Sequence, residues 1–141
     1  MSVYKDGILP GMWSWLTRTE SGMVEIPENW EANASQKAAL LIEASKHFLL
    51  AIIDSSSELP LKKQQLSAKV NTYIQFSSNY LKAILANDSN KIEMYSLKVK
   101  KSETEIIELW KNMQGFSRRF NGTRSSIFFS IQDARHDKKL S

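Results

Sequence analysis

Apolar positions recur along this chain with the period of an α-helix, in three long runs. In the first, Ala38, Ile42, Ser45, Leu49 and Ile52 fall four and three residues apart, with Leu41, Phe48 and Ile53 beside them. Leu40, Ala44, Leu50 and Ala51 widen the stripe, which predicts a helix covered on more than one side. Asn33 or Ser35 can cap its start by accepting a backbone N–H bond. Its end is expected near Asp54, before the run Ser55-Ser56-Ser57.

The second helix is expected to start at Pro60, because the first helical position has no use for the N–H that proline lacks. Leu66, Val70, Tyr73, Ser77, Tyr80 and Ile84 then recur four and three residues apart, with Ile74, Leu81 and Leu85 alongside. The polar run 86–90 reads as a turn, with Ser89 as the cap of the third helix.

The third run is the most regular. Ile92, Tyr95, Val99, Ser102, Ile106, Leu109, Met113, Phe116 and Phe120 alternate three- and four-residue steps without interruption. That is heptad spacing, which predicts one long helix with a seam along a partner helix, internal or in a second chain. Ser102 followed by Glu105 also has the form of a capping box, and is an alternative break point. Gly115 weakens the end of this helix, and Asn121-Gly122 is expected to stop it.

Outside these runs the pattern fades. Residues 1–32 are punctuated by Gly7, Pro10, Gly11, Gly22 and Pro27, and hold Trp13, Trp15 and Trp30. They read as an irregular arm. Residues 123–141 read as a short apolar element (Ile127, Phe128, Phe129, Ile131), helix or strand, followed by a basic tail. The expected fold class is therefore all-α: an antiparallel three-helix bundle with coiled-coil-like heptad spacing over 33–122, a Trp-rich N-terminal arm packed on it, and a short C-terminal element, one domain in all.

Charge changes the picture at one end. The chain is formally +4, and residues 1–116 are balanced, so the whole excess lies in the last 25 residues. Arg118, Arg119 and Arg124 stand there among Phe116, Phe120, Thr123, Ser125 and Ser126. Arginine forks grip phosphate or carboxylate in pairs of hydrogen bonds, and aromatic rings can stack on bases. These three arginines are candidate contacts to an acidic protein or a nucleic acid. The arm supplies the other candidate surface, Met12, Trp13, Trp15 and Leu16, since Trp and Met are frequent anchors of protein interfaces.

Candidate chemistry is sparse. There is no cysteine and there are two histidines, of which His47 comes one helical turn after Glu43. Such a pair offers two metal ligands at most and reads as a helix-surface pair. Glu103, Glu105 and Glu108 read as a solvated face, with Lys101 and Lys111 near enough to offset them. No phosphate-cradling glycine loop, nucleophile elbow or metalloprotease motif occurs. The expectation is no enzyme, no metal and no cofactor. It is instead a cytoplasmic, non-catalytic protein–protein interaction factor: an adaptor, inhibitor, immunity or chaperone-like protein. A nucleic-acid-binding accessory protein is the first alternative, and a helical assembly subunit or homodimer the second. The longest apolar stretch, Ala38 to Ile53, is too short to span a bilayer, and Glu43, Lys46 and His47 interrupt it. No leader with a basic patch and apolar run is readable at the N-terminus.

Overall fold

A computed structural model describes residues 33–113 and 115–140. The described residues form four helices: α1 (Ala34–Ser55), α2 (Pro60–Leu85), α3 (Ser89–Trp110) and α4 (Phe116–Leu140). They are all-helical, as expected, but the expected three-helix bundle is a four-helix arrangement.

Local chemistry sets the boundaries. Asn33 caps α1, its Oδ1 accepting from the Gln36 N–H at 2.8 Å. At the other end, Lys63 Nζ donates to the Asp54 carbonyl at 2.8 Å, so a side chain from α2 satisfies an orphan acceptor of α1. Pro60 opens α2, as its missing N–H suits. The cap of α3 is Asp88, whose carboxylate accepts from the Lys91 N–H at 3.2 Å; Ser89, the expected cap, is the first helical residue. Asn87 holds a left-handed φ of 56°, which asparagine tolerates better than most residues and which closes the α2–α3 turn.

The expected third helix is divided. Its backbone leaves the helix after Trp110 and re-enters at Phe116. Gly115 is the reason the chain can turn there, with φ at +81°. The break is therefore at Gly115 and not at Ser102, which lies inside α3. Asn121 and Gly122, the expected stop, also lie inside a helix, α4. Phe116, Phe120, Thr123, Ile127, Ile131 and Ala134 all face inward and are buried. Burial of that stripe offsets a helical glycine, which costs about 1 kcal/mol relative to alanine. The C-terminal segment is consequently a full element of the fold.

Three short connections turn the chain back on itself, up-down-up-down. The chief interfaces are α2 with α3, α1 with α4 and α1 with α2; α2 and α4 touch less, and α3 and α4 least of the packed pairs. The core joins Leu41, Leu49 and Ile53 of α1 to Leu66, Val70 and Tyr73 of α2, Ile106 of α3, and Phe116, Phe120 and Ile131 of α4. Within the heptad series, Ser102, Ile106, Met113, Phe116 and Phe120 are buried, while Ile92, Tyr95 and Val99 are half-buried. Leu109 is 49% exposed, and its neighbour Trp110 is buried in its place. Trp110 takes the inward position in the last turn of α3, so Leu109 is left outside.

Candidate functional site

Helix α4 carries the described part of the candidate surface. Its inward stripe fixes the direction of every other side chain along it, because successive residues on a helix point about 100° apart. Phe116 and Phe120 are both buried, their rings stacked at 6.1 Å and nearly parallel, and Phe120 meets the edge of Tyr73 at 5.3 Å. The two rings that could have stacked on bases are therefore core residues.

The three arginines separate. Arg124 turns toward α3, donating from Nη1 to Glu103 Oε2 at 2.8 Å and from Nε to Asn121 Oδ1 at 2.9 Å. Arg118 and Arg119 are exposed in the first turn of α4. That is the positive end of the helix dipole, where a cation is mildly unfavourable. No acidic residue stands in that turn to offset them. Arg124 thus ties α3 to α4, while Arg118 and Arg119 hold their charge in solvent.

Beside them lies a surface the sequence pattern did not single out. Phe128 and Phe129 are 52% and 63% exposed, with their rings edge to face at 5.6 Å. The run Ile127-Phe-Phe-Ser-Ile131 reads as one apolar segment, yet a helix can bury only one side of it. Ile127 and Ile131, four residues apart, take the inward positions, and the two phenylalanines are left outside. The usable signal was the length of the apolar run against the helical period.

The carboxylates and histidines do not converge. His47 Nε2 lies 3.1 Å from Glu43 Oε1, an i,i+4 pair on the half-buried side of α1. Glu105 is met at 3.4 Å by Lys69 of α2, which replaces the expected Lys101 and Lys111. Glu103 is held by Arg124, and its charge bears on the buried Tyr73 beneath it. Burial first, and that carboxylate second, push the Tyr73 hydroxyl well above the ordinary tyrosine range. Among the described residues no three His, Asp or Glu side chains are grouped as metal ligands. No helix of the described residues is long and apolar enough to cross a membrane. A groove of about 570 Å³ between α1 and α2 has Ile42 and Ile74 at its base and Glu43, Lys46 and Lys82 around it. Its charges are mixed in sign and fix no ligand class.

Met12, Trp13, Trp15 and Leu16 lie outside the described residues, as does the arm that carries them. Compared with protein-family models, with curated proteins and with solved structures, the chain matches none.

Proposed function

We propose that the protein is a non-catalytic protein–protein interaction factor that takes an acidic protein segment on the outer side of α4. The observation that carries this reading is the solvent-exposed Phe128–Phe129 pair on the helix that also holds Arg118 and Arg119 in water. Arg118 and Phe129 are eleven residues apart, three turns of helix, so they stand on one side about 17 Å from each other. An aromatic anchor with two cations three turns away along the same helix suits a segment whose apolar side chain is followed at that distance by Asp or Glu. The burial of Phe116 and Phe120 and the pairing of Arg124 with Glu103 favour this occupant over nucleic acid, since the two rings beside Arg118 and Arg119 and one of the three arginines are already engaged within the fold.

The test is affinity capture with tagged wild-type chain and a Phe128→Ser/Phe129→Ser double variant, each with and without nuclease. The reading expects a discrete protein, resistant to nuclease, that the double variant fails to retain. Retention lost to nuclease but kept by the double variant overturns it in favour of a nucleic acid held by Arg118 and Arg119.

A further inference from the structure

We propose that the cavity at the α2–α3 turn, closed by the last turns of α4, binds a phosphate group. It is separate from the Phe128–Phe129 surface and does not depend on it. The cavity measures about 230 Å³ and is lined by Ile84, Asn87, Ser89, Ile92, Arg135 and Lys138.

Two cations converge there without an acid. Arg135 is half-buried, and among the described residues neither it nor Lys138 has a hydrogen-bond or ion-pair partner. Arg124, three turns earlier on the same helix, shows the contrast: it has both a carboxylate and an amide oxygen. A guanidinium drawn partly out of water with no acceptor is a costly arrangement unless an anion completes it. The nearby acids do not fill the role. Asp88 is turned to the Lys91 N–H at 3.2 Å as the cap of α3. Asp133 and Asp137 flank Arg135 by two residues on either side, and positions two apart do not share a helix face.

Phosphate suits the groups present. Arg135 can give two parallel N–H bonds to one phosphate, and Lys138, one turn further on the same face, adds a point charge. The Ser89 hydroxyl lies in the lining. The Ser89 and Asn90 N–H groups open α3 and have no partner within the helix, while that of Lys91 is taken by the Asp88 carboxylate. Ile84 and Ile92 form an apolar wall beside these groups, room for a short carbon skeleton. The volume falls just under the roughly 300 Å³ at which pockets begin to take drug-sized molecules, which limits the ligand to a small one.

The experiment uses the full chain, isotopically labelled for NMR, titrated with inorganic phosphate and with glycerol 3-phosphate, against sodium chloride at equal ionic strength. The expected result is saturable shifts of the Ser89 and Asn90 amides and of the Arg135 side-chain N–H. Arg135→Gln and Lys138→Gln each weaken binding at least tenfold, and Arg118→Gln leaves it unchanged. Tighter binding of glycerol 3-phosphate assigns the site to a phosphomonoester; equal binding assigns it to free phosphate. The proposal is overturned if chloride reproduces the shifts, if Arg135→Gln binds as wild type does, or if Arg118→Gln weakens binding as much as Arg135→Gln. Both cavity variants replace partly exposed side chains, and their helical circular dichroism is compared with wild type so that loss of binding is read on folded protein.

Discussion

Helices α1 and α3 are each 22 residues long, and both present apolar side chains at helical spacing, yet they are buried very differently. Seven residues of α1 are buried, spread from Ala38 to Ile53, because α2 lies on one side of it and α4 on the other. In α3 only Ser102, Ile106 and Trp110 are buried, all in its second half. Its first half packs along α2 and meets α4 at the cavity beside Ser89 and Ile92; the α3–α4 pair is the slightest of the packed interfaces. The difference teaches that regular spacing reports which side of a helix faces inward, while depth depends on how many neighbours meet that side. The more regular pattern belongs to the less buried helix.

The largest expected effect tests that directly. Leu49→Ala in α1 removes a fully buried side chain and is expected to cost about 2–5 kcal/mol, whereas Val99→Ala in α3 should cost about 1 kcal/mol or less. Equal losses in chemical denaturation would break the comparison. Next comes pH. Tyr73 is neutral in the folded state and its hydroxyl is raised above the ordinary value, so the unfolded chain releases that proton first. Stability from this group is complete below pH about 10 and falls as pH rises past it, by up to about 1.4 kcal/mol per pH unit. Tyr73→Phe should flatten the fall in melting temperature between pH 10 and 11; an unchanged slope would mean the hydroxyl is not the group responsible.

Smaller effects sharpen the picture at the α3–α4 junction. Gly115→Ala meets no atom within 4 Å of the added Cβ, so only the left-handed backbone opposes it, at about 1 kcal/mol. A neutral result would show that the turn can reach an ordinary φ. Glu103→Gln loosens the tie to Arg124 between partly exposed groups, and should cost about 0.5–1 kcal/mol at low salt and less at 1 M. Salt-independent loss would point to the hydrogen bond and not the charge. Leu97 is 61% exposed on α3, and Leu97→Gln should stay within about 0.5 kcal/mol of wild type. A clear loss of stability there would show that α3 is covered after all.

Helix existence was legible in the chain because each stripe is long and the starts carry their own chemistry: Asn33 and Pro60 fall where expected, and the turn opens at Ala86 but ends one residue before Ser89, with Asp88 as the cap. The third run misled for a physical reason. Heptad arithmetic is blind to a turn when positions on both sides of it stay buried, as Met113 and Phe116 do on either side of Gly115. Asn121-Gly122 misled in the opposite sense, since packing of Phe120, Thr123 and Ile127 outweighs local propensity. At the candidate surface, Arg118 and Arg119 were legible as charge. That Arg124 would be held by Glu103, 21 residues earlier, was not, because pairing across helices depends on how they pack. Phe128 and Phe129 were visible as residues, and their exposure required knowing which neighbours took the inward positions.

The pairing of α1 with α4 joins the first described helix to the last, and this has a consequence in time. On a growing chain α2 comes directly after α1, but the roughly 60 residues between Ser55 and Phe116 must be made before α4 begins to emerge. At about 5–20 residues per second that is an interval of roughly 3–12 s in which the side of α1 meant for α4 has no cover. The α2–α3 hairpin closes a short loop and can form early; the α1–α4 contact closes a long one and comes last. A chain interrupted at the Gly115 turn would remain in that half-covered state and would be expected to aggregate where the complete chain folds.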